Sequence, residues 1–135
     1  MTTYTNNLLV PHLDQNVAQP EIPVNESMDI FDSAITGQLT LDISGDIGYN
    51  LDDTSLTYPQ EWQNGILIIT NTGTANTALV DVLVPDGKKM KYTLVNDTGS
   101  AFDIQLRTVS GTGVSVPDGS IYQMFSDGTN VRRIT

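Results

Sequence analysis

The sequence predicts an all-β protein: an antiparallel β-sandwich or jelly-roll-like domain preceded by an extended N-terminal arm and one short helix. The hexapeptides VLVPDG (residues 82–87) and VSVPDG (residues 114–119) each end a β-branched run at a Pro-Asp-Gly turn. Short runs with apolar residues at every second position recur from residue 39 onward, separated by turns rich in Gly, Asn and Asp. With 39% hydrophobic and 16% charged residues, the composition is typical of a folded domain.

The 135 residues are enough for one domain with a short appendage, and we expect the boundary between residues 1–37 and 38–135. The net charge is −10, and it is unevenly distributed. All six basic residues lie beyond position 87, whereas twelve of the sixteen acids lie before it. Because binding to a phosphate backbone requires a basic surface, nucleic acid is not an expected partner. A basic protein surface suits the acidic half better.

The chain lacks cysteine, so neither disulfides nor thiolate metal sites contribute to its stability. The first residues, MTTYTNN, have neither the basic region nor the apolar region of a signal peptide, and no apolar run is long enough to span a membrane. We therefore expect synthesis in a cytoplasm and no membrane partner.

Residues 1–23 have no periodicity and contain three prolines, which predicts an extended arm. The arm is either mobile or lies on a neighbouring subunit or partner, where Leu8, Leu9 and Val10 would anchor it.

Residues 25–36 are the predicted helix, with Asn25 as the N-cap and Gly37 after the last turn. Val24, Met28, Phe31 and Ile35 are spaced four, three and four residues apart, which predicts one apolar stripe. The spacing is also that of a coiled-coil seam, although fewer than two heptads cannot hold an oligomer together alone. The stripe therefore packs on its own domain or faces a subunit or partner. Together with Ile22, it is the predicted contact surface.

The β-domain begins where the apolar period changes to two. Residues 66–70 are continuously apolar and predict a central strand, and residues 102–108 alternate most regularly. Eight short strands with tight connections favour a compact antiparallel sandwich. The predicted strands are residues 39–43, 66–70, 79–84, 89–95, 102–108, 114–116, 121–125 and 131–134.

Residues 44–65 are a predicted loop region, in which residues 47–51 and 55–58 could form short strands. The region contains Trp62, the only tryptophan, which either plugs one end of the core or, with Tyr49 and Tyr58, stacks on a glycan or partner. Asp42 and Asp46, with Asp53 at the twelfth position, place oxygens at spacings that a structural cation could use. Ile47 stands where the calcium loop of an EF-hand has glycine. The acids therefore either hold a structural cation or are simply solvated loop residues.

Catalytic motifs are scarce, and we expect no enzyme and no cofactor. The single histidine, His12, lies in the arm, and the chain has no nucleophile elbow, phosphate loop or dinucleotide fingerprint. Asp52, Asp53 and Glu61 share one loop region, but neighbouring carboxylates on an extended chain diverge.

The order of the strands and turns resembles a small β-domain found in structural proteins of tailed bacteriophages, similar to domains of tail fibres, head fibres and capsid decoration proteins. The residues that carry this resemblance are 63–70, 82–88, 92–98, 111–114 and 122–131. Residues 8–10, 14–21 and 24–28 also resemble the opening of phage proteins that begin with an apolar cluster, a Gln/Ala stretch and a helix starting Val-Asn-Glu-Ala.

The resemblance implies a non-enzymatic virion protein: a homotrimeric capsid cement or decoration protein, similar to a head fibre, on the outside of the phage head. Its implied partner is the major capsid protein or another virion protein. One alternative is a tail fibre, a tail adaptor or a receptor-binding component that recognises a host-surface glycan. Another is a free carbohydrate-binding module that uses Trp62, Tyr49 and Tyr58.

Overall fold

The computed structural model describes residues 3–5, 7–12, 18–19, 21–52 and 59–134. In these residues the protein is mostly β, with one α-helix and nine strands in two sheets. The predictions made for Asp53 and for residues 55–58, including Tyr58, lie outside the described residues. The elements are α1 (Glu21–Thr36), β1 (Gln38–Asp42), β2 (Tyr49–Asn50), a 3-10 helix (Glu61–Gln63), β3 (Ile66–Thr70), β4 (Val80–Val84), β5 (Lys89–Asp97), β6 (Ile104–Thr108), β7 (Gly113–Val116), β8 (Ile121–Asp127) and β9 (Val131–Arg133).

Helix α1 begins four residues before the predicted start, so Asn25 is not its N-cap. Pro23 lies in the first turn, where a backbone N–H has no partner within the helix and proline is therefore tolerated. The helix ends at Thr36, immediately before Gly37, as predicted.

Both sheets are mixed, which corrects the prediction of an antiparallel sandwich or jelly roll. The five-stranded sheet has the order β1-β3-β5-β8-β9 and the four-stranded sheet the order β2-β4-β6-β7. The pairs β1–β3, β3–β5, β2–β4 and β4–β6 are parallel, and the remaining three pairs are antiparallel. From β1 to β6 the chain changes sheets after every strand. Two parallel neighbours of one sheet are thus connected through a strand of the other sheet. That strand is the crossover connection that parallel pairing requires, which in most proteins contains a helix.

The two VPDG turns are corners between the sheets. The first connects β4 to β5 and the second connects β7 to β8, and neither pair of strands is hydrogen-bonded. Gly87 and Gly119 have φ angles of 75° and 76°, which glycine adopts without strain. The aspartates receive backbone N–H groups from neighbouring loops: Asp86 from Ser110 at 3.2 Å and Asp118 from Gly99 at 2.8 Å.

One hydrophobic core lies between the two sheets. The alternating residues predicted to face inward are buried on β4, β5 and β6, whereas Lys89 and Lys91 of β5 are exposed as expected. Trp62, the middle residue of the 3-10 helix, fills the core, and its backbone carbonyl accepts a hydrogen bond from the Tyr92 hydroxyl at 2.6 Å.

Residues 7–12 of the arm pack on their own domain, and the contact of the arm with a neighbour stays a prediction. Val10 is buried, and Leu8 and Leu9 pack against the core. The backbone carbonyl of Leu8 accepts a hydrogen bond from the Gln63 side chain at 2.5 Å, and that of Asn7 accepts one from the Lys89 N–H at 3.1 Å. These contacts cross the predicted boundary at residue 37.

Candidate interaction surface around helix α1

Helix α1 contacts its own domain through a narrow face of small side chains. Ile30 is fully buried, and Ala34 packs against the core. The backbone carbonyl of Ser33 accepts the N–H of Gly65 at 2.9 Å, and a Cβ added at Gly65 would lie 2.4 Å from the carbonyl oxygen of Ala34. The helix therefore packs directly on the backbone that enters β3.

The predicted apolar stripe lies on a different face and is exposed. The exposed fractions are 44% for Val24, 63% for Met28, 50% for Phe31 and 75% for Ile35. At 100° per residue these four side chains share one narrow face, about 110° from the face that carries Ile30 and Ala34. We call Val24, Met28, Phe31 and Ile35 the helix stripe. The helix stripe is therefore largely exposed, and its contact with a subunit or partner stays a prediction.

Ile22 is 48% exposed, but it does not belong to the helix stripe. It lies two residues before Val24, which places it about 200° around the helix axis. The structure thus brings together four of the five predicted contact residues of the helix and separates the fifth.

Beside the helix is an apolar groove whose rim carries two lysines. The groove has a volume of about 630 Å³. Leu8 of the arm, Ala34 of α1, Met90 of β5 and Phe125 of β8 line it, together with Lys89 and Lys91. Asp127 also lines it, but its charge is balanced by Arg132, with which it forms a salt bridge at 2.9 Å. We call this feature the lysine-rimmed groove. Two smaller grooves adjoin it: one is also lined by Ala34 and Lys91 and reaches Ile35, and the other is also lined by Leu8 and reaches Phe31.

The outer faces of both sheets carry apolar and charged residues. On the five-stranded sheet, strand register aligns Ile68, Val95 and Ile121 in one apolar row, of which Ile121 is 63% exposed. On the four-stranded sheet, the outward positions include Asp81 and Arg107, which form a salt bridge at 3.2 Å. Leu79, immediately before β4, is also exposed, so exposed apolar side chains occur at both sheets.

Charges of opposite sign lie on the helix and on the groove rim. Asp29 and Asp32 are exposed on α1, and the helix contains no basic residue. The two salt bridges found among the described residues use Arg107 and Arg132. Neither the acids of α1 nor Lys89 and Lys91 therefore take part in an ion pair within the described part of the chain.

The predicted aromatic platform is not assembled on the surface. Trp62 is 1% exposed, and its Nε1 donates to the Gln60 side chain at 2.7 Å. Tyr49 is half-buried, and its hydroxyl donates to the backbone carbonyl of Asp42 at 2.5 Å. Trp62 thus acts as the core plug that was one of the two predicted alternatives.

Asp42 and Asp46 use their carboxylates to join two loops. Asp42 accepts hydrogen bonds from Ser44 and Thr72, whose hydroxyl groups lower the pKa of its carboxyl group to about 2. Asp46 accepts hydrogen bonds from the hydroxyl and N–H of Thr77, and these contacts lower its pKa. Within the described ranges, no three His, Cys, Asp or Glu side chains are grouped as metal ligation would require. The carboxylates of Asp42 and Asp46 are therefore hydrogen-bonded to donors of the protein itself.

His12 lies in the arm, is exposed, and contacts the Thr3 hydroxyl through Nδ1 at 2.9 Å.

Sequence reasoning identified the helix stripe but missed the lysine-rimmed groove. A signal for it was present, because Lys89 and Lys91 alternate with buried Met90 and Tyr92 on β5. Phe125 is the position opposite Lys91 across the β5–β8 pair, and only the strand register reveals that contact.

No helix in the described part of the chain is both long and apolar enough to cross a bilayer. Comparison with known proteins found no matching family model, curated protein or solved structure.

Proposed function

We propose that this chain is a non-enzymatic structural protein of a phage virion: a homotrimeric cement or decoration protein bound to the outside of the head. The proposal rests on the resemblance carried by the turn and strand sequences, which implies the virion role and the trimer. The single structural observation that supports it is the uncovered helix stripe. Four large apolar side chains on one helix face are typical of a protein that associates with another protein surface.

The polarity of the surface is consistent with attachment by one side. The helix stripe is exposed, and Ile121 of β8 is 63% exposed, whereas the outward Asp81 and Arg107 of the four-stranded sheet pair with each other. A protein that attaches to a shell needs one side for the shell and its own subunits and another for solvent. The acids of residues 1–87 would meet basic patches of the shell.

Binding to virions that lack the protein tests the proposal. We expect the labelled wild-type protein to bind such particles, with density on the head in electron microscopy. Phe31→Asp should reduce this binding, because it places a charge in the helix stripe. Leu79→Asp is the matched control, since Leu79 is 45% exposed and lies at the start of the four-stranded sheet.

The location of the density separates the proposed role from the main alternative. Density on the tail would overturn the head assignment and support a tail-fibre, adaptor or receptor-binding role. An absence of binding to any part of the particle would overturn the virion role. The burial of Trp62 gives no support to a free carbohydrate-binding module that stacks a sugar on this residue.

A further inference from the structure

We propose that copies of this chain join head to tail, with the helix stripe of one copy seated in the lysine-rimmed groove of the next. This inference deepens the proposed function, on which it rests, because it assigns the surfaces that would join the subunits of the proposed trimer. The contact is heterologous: two different patches of the same chain meet. Repeated around a rotation axis, such contacts close into a ring.

The charges of the two surfaces are complementary. Asp32 flanks the helix stripe on the side away from Ile30, and Asp29 lies beyond it, while Lys89 and Lys91 stand on the rim of the groove. Neither set takes part in the two salt bridges that the described residues form. Seating the stripe of one copy in the groove of the next would bring these opposite charges together while burying apolar side chains on both sides.

The same charges argue against the simplest alternative, in which the helices of several copies pack on one another. Such packing would bring Asp29 and Asp32 of each copy close to the acids of the next, with no basic residue on α1 to compensate. The stripe also spans fewer than two heptads, which is too short for a coiled coil to be stable by itself.

The position of the groove suits a repeating contact. Its smaller extensions reach Phe31 and Ile35, so the groove and the helix stripe adjoin on one side of the molecule. Ala34, the helix residue that lines the groove, lies about 90° from the helix stripe around the axis, so the two surfaces face different directions and one copy can contact two neighbours. Both uncovered surfaces would become covered at once.

Charge reversal with rescue tests this pairing. We expect light scattering to show an oligomer for the wild-type protein. The pair of substitutions Lys89→Glu and Lys91→Glu should weaken association on the order of tenfold or more, and so should Asp29→Lys with Asp32→Lys. The chain with all four substitutions should associate again, because the contacts are reversed and the net charge is unchanged. The control is Asp52→Lys with Asp103→Lys, which alters the charge of the four-stranded-sheet side by the same amount as the helix pair does.

The outcomes distinguish this inference from the proposed function. A wild-type protein that stays monomeric at all concentrations overturns both the head-to-tail contact and the trimer, even if it binds particles. An oligomer unaffected by either pair, or one not restored by the four substitutions, overturns the helix-to-groove contact and leaves the trimer. Oligomers that respond as expected but do not bind virions overturn the virion role alone.

Discussion

At the residue scale, Trp62 shows how one buried side chain holds several parts of the chain together. Its ring is enclosed in the core, its Nε1 bonds to Gln60, and its backbone carbonyl receives the Tyr92 hydroxyl. Burial also raises the pKa of the Tyr92 phenol.

Replacing this ring tests whether it is structural. Trp62→Ala should lower the free energy of unfolding by about 3–5 kcal/mol, because it leaves a large cavity. Urea denaturation measures the change. Ile47→Ala, at a side chain that is 54% exposed, should stay within about 0.5 kcal/mol. A loss at Trp62 as small as that at Ile47 would contradict the core-plug role.

Asp42 predicts a dependence of stability on pH. Its folded-state pKa of about 2 is below the ordinary value of 3.8, so its contribution is fully present above pH 3.8 and is lost as the pH falls through about 2. Asp42→Asn should therefore reduce the unfolding free energy at neutral pH, and the difference from wild type should shrink toward pH 2. Thr72→Val should act in the same direction but less strongly, since it removes one of the two hydroxyl donors. A difference that stays constant down to pH 2 would contradict this cause.

At the element scale, the turns and strands could be predicted from the sequence, whereas the pairing of the strands could not. Alternation on β4, β5 and β6 identified the buried faces, since a period of two is a local property. The VPDG turns indicated where the chain bends, but a turn does not state which strand the next one pairs with. The parallel pairing of strands that are connected through the opposite sheet therefore could not be predicted from any local sequence pattern.

The helix illustrates the same limit. Its large apolar residues mark the exposed stripe, while its buried face carries Ser27, Ser33 and Ala34 around Ile30. The Ser27 hydroxyl donates to the backbone carbonyls of Pro11 and Pro23, and Ala34 lies against Gly65. Close contact with backbone requires small side chains, so the buried face does not look apolar in the sequence.

Substituting Ile30 should therefore cost more unfolding free energy than substituting Phe31, although Phe31 is the larger residue. Ile30→Ala should cost about 2–5 kcal/mol of unfolding free energy, because its side chain is fully buried. Phe31→Ala should change it by only about 0.5 kcal/mol when measured on monomers. Chemical denaturation at low protein concentration makes the comparison. A larger loss at Phe31 would indicate that the stripe packs on its own domain after all.

Replacing glycine by alanine should lower the unfolding free energy by different amounts at two kinds of position. Gly87→Ala and Gly119→Ala should each lose about 1–2 kcal/mol, because alanine at these φ angles is strained although no atom lies within 4 Å of the added Cβ. Gly65→Ala should lose more, since its Cβ would overlap the carbonyl oxygen of Ala34. Urea denaturation of the three variants gives the order, and a milder effect at Gly65 would contradict the close packing of α1 on β3.

At the scale of the whole molecule, the arm, helix and sheets share contacts that the boundary predicted at residue 37 would separate. Leu8 bonds to Gln63, Val10 and Ile30 are buried, and Ser33 bonds to Gly65. Deleting residues 1–37 would therefore expose part of the core. Point substitutions on the surface are the better probe of binding.

These contacts predict one cooperative unfolding transition for the full chain. Far-ultraviolet circular dichroism, which reports on α1 and the strands, should give the same midpoint as the fluorescence of Trp62. An earlier loss of the helical signal would show that residues 1–37 unfold as a separate unit. The division of the chain would then be as the sequence predicted.

The alternation of the chain between the two sheets also has a consequence for the speed of folding. Gln38 pairs with Ile66, Tyr49 with Val82 and Val80 with Ile104, so the parallel contacts join residues 24 to 33 positions apart. Few of these contacts can form before the chain has closed large loops, and closing them costs entropy that no local hydrogen bond repays. In a nascent chain, β3 gains its second parallel neighbour, β5, only once residue 97 has been made, and its apolar side chains stay unprotected on that side until then.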